Sequence, residues 1–177
     1  MPVYEFEGKR PKIGAGCYIY ETASIIGDVT IGEKCYIGPG AVVRGDYGTV
    51  KIGKRTAIEE NVVVHARPGE LCKIGSYVTL GHTSTIHNAT LDDYCVIGMG
   101  AVVSDYAKIG KWAVIGEGAV VTNNTAVEPG KVAVGVPAKA VADVSEDYKL
   151  QWTQYKGLYS DLAERRLKMG LKRLKKY

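Results

Sequence analysis

The sequence predicts an all-β protein, a parallel β-helix of hexapeptide repeats with a C-terminal α-helix. Three observations carry that prediction. Aliphatic residues recur at every sixth position through most of the chain. Glycine is abundant, with 22 residues, whereas Phe occurs once and Trp twice, a composition that suits tightly turning β structure. Beyond Pro137 the six-residue period stops and a helical spacing replaces it.

The repeat opens with uninterrupted hexads at Ile13, Ile19, Ile25, Ile31, Ile37 and Val43. After a three-residue insertion it resumes at Ile52, Ile58 and Val64, and after a four-residue insertion at Ile74, Leu80 and Ile86. One residue is then dropped, and hexads run from Leu91 to Val127, with a last unit at Val134. The fifth position of each hexad is usually small, as at Ala23, Cys35, Ala41, Ala101 and Ala113. A period of six fits neither a 3.6-residue helix nor a two-residue strand alternation. It fits a short strand followed by a corner, stacked coil on coil so that neighbours bury what no single repeat can. With three hexads per coil the chain makes a triangular prism of about six to seven coils.

Cys17, Cys35 and Cys95 share the small fifth position of the first hexad in their coils, so they are expected in one inward column. Cys72 is expected in the insertion loop. No Cys-x-x-Cys pair exists, and free, buried thiols are the expectation. At the C-terminal end Ser145 can cap a helix, and Tyr148, Trp152, Tyr155, Tyr159 and Leu162 follow at helical spacing as an apolar stripe. The domain boundaries are thus a β-helix over 1–142 and a packed helix with a basic tail over 143–177.

Charge narrows the class of partner. The net charge is +4, but Arg165, Arg166, Lys168, Lys172, Arg173, Lys175 and Lys176 crowd the end of the chain. Without them 16 basic residues face 19 acidic ones, so the body lacks the basic face that nucleic-acid binding wants. A solvated helix end is the plainer account of the tail. No apolar run reaches the roughly 20 residues of a membrane span. Met1–Glu7 has neither a basic nor an apolar leader pattern, so the expectation is a cytoplasmic protein without nucleic-acid or membrane partners.

The chain has three histidines, His65, His82 and His87, all within 23 residues. The hexads at Val43, Val64 and Ile86 are each the third of their coil, and their second residues are Arg44, His65 and His87. Two histidines therefore stack on adjacent coils, about 4.8 Å apart and facing outward. Such a pair can converge on one ion. His82 belongs to another face, and five extended residues span up to roughly 16 Å. It is therefore expected to reach the ion held by His65 and His87 only from a neighbouring copy, and a threefold ring suits a three-faced prism. Three imidazoles with an open fourth position is the layout of a catalytic zinc site, although imidazole suits zinc, iron and cobalt alike.

Those residues carry a resemblance. Arg44-Gly45-Asp46, the run Ile58 to His65, Val78-Thr79-Leu80-Gly81-His82 through His87, and Ile97-Gly98-Met99-Gly100-Ala101 are similar to the gamma-class carbonic anhydrase family. Val134-Gly135-Val136-Pro137-Ala138 is similar as well. The resemblance covers about residues 10 to 142, and the helical tail also looks like that of bacterial and archaeal members. It implies a left-handed β-helix and a homotrimer. It also implies a zinc or iron(II) ion between subunits, held by His65, His87 and the His82 of the next chain, and the interconversion of CO2 and bicarbonate. Arg44 and Asp46 match a charged pair that bridges subunits and borders the site; an interface salt bridge without a part in the chemistry is the competing role.

The chain also departs from the family pattern. Tyr47 stands where a glutamate follows the Arg-x-Asp in family members, and Ala57 and Glu59 stand where they carry Asn and Gln. The acidic loop with a proton-shuttling glutamate is absent; the segment from Ala66 to Lys73 has only Glu70. Glu59 could accept a proton from bound water or orient it. Tyr159 matches a helix tyrosine that similar proteins bring near the metal, with core packing as its competing role. Two other functions stay open at this stage. The run Arg44 to Gly48 and the Trp-containing tail also resemble proteins of phenylacetate and carnitine operons, which suggests an acyl-CoA thioesterase or hexapeptide acyltransferase. The lost shuttle residues suggest a non-enzymatic trimeric scaffold.

Overall fold

The computed structural model describes residues 2–170. Each hexad delivers a short strand and a corner, and the strands build a left-handed parallel β-solenoid of about seven turns followed by one helix. On the first face Ile37, Ile58, Leu80, Ile97 and Ile115 pair in register, all buried. The second face stacks Ile25, Val43, Val64, Ile86, Val103 and Val121. The third stacks Ile31, Ile52, Ile74, Leu91, Ile109 and Val127. Truncating any fully buried member to alanine removes contacts above and below at once, which typically costs about 2–5 kcal/mol.

The corners need a left-handed backbone, which non-glycine residues adopt at a cost. One corner column carries Lys34, Arg55, Tyr77, Tyr94 and Trp112 at φ between 53° and 65°. Stacking offsets part of that cost. The Tyr77 and Tyr94 rings lie 4.8 Å apart and 1° from parallel, and Trp112 stacks on Tyr94 at 4.7 Å.

Cys17 and Cys35 stack as expected, with the Cys35 amide donating to Cys17 Sγ over 3.4 Å, and all four cysteines are free thiols. Cys72 corrects the sequence reading. It is not in a loop but in the strand Leu71–Ile74, buried and paired with Val50. The insertion lengthens the strand that follows the bend, so the alternation of inward and outward side chains restarts at Leu71. β structure also begins before the first hexad, because Val3–Tyr4 pairs with Ile25 and Ile26. At the far end Lys139–Asp143 returns antiparallel along Lys131–Val134.

Ser145 is the N-cap of the helix Glu146–Met169, accepting from the Tyr148 amide at 3.1 Å. The helix packs along the first face of its own chain and runs back toward the first coils. Its innermost residues are Lys156, Ser160 and Ala163, a stripe displaced from the predicted one. The small Ser160 and Ala163 let the helix axis approach the sheet, so the aromatics flank the contact. Tyr155 is left exposed, while Tyr148, Trp152, Tyr159 and Leu162 are half-buried. No helix of the described residues is long and apolar enough to cross a membrane. Of the basic tail, Lys172, Arg173, Lys175 and Lys176 lie outside the described residues.

Lys156 is 3% exposed. Its Nζ donates to Thr79 Oγ1 and to the Cys95 carbonyl, each at 3.1 Å, and lies 5.3 Å from the Trp152 ring centroid. Burial pushes this amine down to about 7, against weaker pulls from Cys95 and Glu59. An unfolded lysine titrates at about 10.4, so between those values the unfolded chain holds the extra proton and stability rises with pH. Denaturant unfolding at pH 7 and 9.5 is expected to show wild type gaining stability relative to Lys156→Met as pH rises; parallel trends would refute it.

Candidate metal centre

The second face carries an unbroken line of polar contacts. Coil-to-coil pairing sets Arg44 beside His65 and His65 beside His87. Side chains at these positions alternate outward from a buried aliphatic, so the imidazoles stand on the surface of the prism. His65 Nδ1 and His87 Nε2 face each other at 3.1 Å. The other nitrogen of each ring meets a carboxylate: His65 Nε2 lies 3.1 Å from Asp46 Oδ1, and His87 Nδ1 lies 2.5 Å from Asp105 Oδ1. Each carboxylate is held by an arginine in turn, Asp46 by Arg44 at 3.4 Å and Asp105 by Arg67 at 2.8 Å.

Gly45 makes the Asp46 end of this line possible. It lies at a close crossing with the preceding coil, where a Cβ would drive into the carbonyl oxygen of Asp28. Burial, opposed by the Asp46 contact, holds the His65 imidazole below its ordinary value, so the ring is neutral at neutral pH. Burial alone would raise Asp46 and Asp105. The hydrogen bonds from His65 and His87, with help from the arginines, hold both carboxyls below the usual range.

His82 lies on the first face, in a second cluster. Pairing of Leu80 with Ile58 sets it over Glu60, and its Nδ1 is 2.6 Å from Glu60 Oε2. Glu59 is buried, with Oε2 3.2 Å from His82 Nε2 and 3.1 Å from the His82 amide. Tyr36 Oη donates to Glu60 Oε1 at 3.2 Å, and the Tyr159 ring packs 5.6 Å from that of Tyr36. Burial, then the Glu59 carboxylate beside it, pushes the Tyr159 phenol well above its usual value, so it stays protonated. A groove of about 300 Å³ runs past Glu59, His82, Met99, Tyr148, Trp152 and Tyr159.

The predicted residues thus fall into two groups. Arg44, Asp46, His65 and His87 meet on one face, and Glu59, His82 and Tyr159 meet on another. Among the described residues no three His, Cys, Asp or Glu side chains of one chain are placed to hold an ion. Asp105, Arg67, Glu60 and Lys156 were not singled out from the sequence. Glu60 was accessible there, since a 22-residue step from His82 lands on it; Asp105 sits one coil beyond the stacked pair, at a position the repeat does not distinguish.

The donor set on the second face fits a metal. Two nitrogens about 2.0–2.1 Å from one tetrahedral ion lie roughly 3.3 Å apart, close to the separation of the facing nitrogens. The carboxylate on the far nitrogen of each ring is the usual support for an imidazole ligand.

Comparisons with known proteins give this geometry a family. The model described as bacterial transferase hexapeptide matches residues 10–45 and 88–123, and that of the hexapeptide repeat of succinyl-transferase matches 28–66. A carbonic anhydrase of Geobacillus kaustophilus is 38% identical over 82% of this chain and 80% of its own length. Gamma carbonic anhydrase 1, mitochondrial, of Arabidopsis thaliana is 34% identical over 88% of this chain. The chain belongs to the gamma-class carbonic anhydrase family. It spans 59% of the length of the Arabidopsis relative. The same family likeness extends to carnitine operon protein CaiE of Escherichia coli, 31% identical over 93% of this chain and 84% of that protein. Among solved structures, a Bacillus cereus protein named as a candidate acetyltransferase superposes with a TM-score of 0.91 at 28% identity, covering 94% of this chain and 97% of that one.

Replacing Gly45 by alanine is expected to lower stability by about 1–3 kcal/mol, because the added methyl meets backbone that has no room to move. Denaturant unfolding checks the magnitude, and the imidazole resonances of His65 report whether Asp46 has left it. An unchanged midpoint with unchanged resonances would contradict the close crossing.

Proposed function

We propose that the chain is a cytoplasmic, metal-dependent carbonic anhydrase, a lyase that interconverts CO2 and bicarbonate. On this reading it works as a homotrimer whose zinc, iron or cobalt ions sit between subunits, each held by His65 and His87 of one chain and the His82 of the next. The observation that carries the reading is the pair of facing nitrogens of His65 and His87 at 3.1 Å, with the third histidine on a different face of the prism.

A divalent ion bound by three imidazoles supplies a water acidified towards neutral pH. The protein's own residues orient and move protons around it. Asp46 takes the N–H of His65 and leaves the facing nitrogen free to donate its lone pair. Arg44 keeps Asp46 turned to that task. Glu59, buried and in contact with His82, would accept or orient the proton of a water bound beside that imidazole. Tyr159, kept protonated beside Glu59, donates a hydrogen bond and limits the water that enters the groove.

A second reading has one observation in its favour. A groove of about 550 Å³ lined by Trp152, Tyr155, Leu158 and Leu162, with Arg165 at its edge, lies beside Glu59. It is far larger than CO2 needs, and hydrolysis of an acyl-CoA thioester would use it. Stopped-flow CO2 hydration by the metal-loaded protein separates these readings. Wild type is expected to exceed His82→Ala by at least about 100-fold, because losing a ligand costs more than losing a group that supports one, about 10- to 100-fold. Equal rates for the two, with chelator-sensitive thioester turnover, would favour the second reading. Metal content without turnover of either substrate would favour a scaffold.

A further inference from the structure

Asp105 and Arg67 lie outside the runs that carry the resemblance and have no part in the proposed reaction, yet they repeat the arrangement of Asp46 and Arg44 on the other side of the histidine pair. Asp46 accepts from His65, and Asp105 accepts from His87. The second oxygen of Asp46 meets Arg44, and the second oxygen of Asp105 meets Arg67. The Asp105 contact is the shorter at both ends, 2.5 Å to the imidazole and 2.8 Å to the guanidinium.

The anchor of Arg67 is itself built in. Its backbone amide donates to Asn88 Oδ1 at 3.3 Å, and the Asn88 amide donates to the His65 carbonyl at 2.9 Å. Asn88 is 3% exposed and takes a left-handed φ of 49°. The residue that follows one histidine thus ties down the chain that leaves the other. An exposed ion pair alone contributes little. Here its acidic member has a second task. By accepting a hydrogen bond from the Nδ1–H of His87, Asp105 selects the tautomer whose Nε2 lone pair points at His65.

We propose that Asp105, anchored by Arg67, is a positioning residue that holds the His87 imidazole in the orientation and tautomer that binds the metal. The proposal rests on the metal reading above. Metal affinity tests it directly, by titrating the full-length, metal-free protein with zinc against a chromophoric chelator and with cobalt by its visible absorption. Asp105→Ala is expected to weaken binding about 10- to 100-fold, the usual effect of removing such a support. Asp105→Glu is expected to recover part of that loss, and Arg67→Met to weaken binding by a smaller factor. Circular dichroism and the melting of the metal-free protein should stay near wild type, which separates positioning from a loss of fold. Should Asp105→Ala fail to fold, Arg67→Met and Asp105→Glu carry the test. Affinity within threefold of wild type in Asp105→Ala and Arg67→Met, with binding lost in His87→Ala, would overturn this inference while sparing the metal site. Wild-type affinity in His87→Ala would overturn the metal reading and this inference with it.

Discussion

Stacking of inward aliphatics from coil to coil is the interaction on which the rest depends, because no hexad can cover its own side chain. Ile58 lies between Ile37 below and Leu80 above, and each of those is covered by the next. Hydrophobic burial therefore sets the register of each coil on its neighbour, since a slip of one residue would turn every aliphatic outward. Once that register is set, outward residues have no freedom of placement along the axis. His65 and His87 meet because Val64 and Ile86 do.

The same coupling explains what could be read from the sequence and what could not. Arg44, His65 and His87 were legible as a column because the repeat converts spacing into stacking. His82 was legible as an outlier for the same reason. Cys72 was not, because an insertion does not declare how far it extends the strands beside it. The inner face of the helix was missed for a different reason. Aromatic residues promise the most buried area, but Ser160 and Ala163 permit the closest approach, and closeness decided the contact. Asp105 escaped because hexad position says which residues face out and not which way an outward carboxylate turns.

The two clusters differ in electrical character. On the second face the line from Arg44 through Asp46, His65, His87 and Asp105 to Arg67 is mirrored about the histidine pair, and each carboxylate has a cation and an imidazole N–H. On the first face His82 stands between two glutamates with no arginine in contact among the described residues, and Tyr36 supplies the remaining donor. In the proposed trimer, a cation between such faces would meet imidazole nitrogens from one and carboxylates from the other.

The course of the helix has a consequence for how the molecule holds together. A solenoid is a one-dimensional stack in which each coil feels only its immediate neighbours, so its ends can fray independently. The helix begins beside the late coil that carries Glu117 and ends beside the early coil that carries Tyr18, resting on Tyr36 along the way. It is a longitudinal strut across units that otherwise never touch. Opening at one end of the stack must loosen contacts at the other, which turns a set of loosely coupled coils into a single cooperative body.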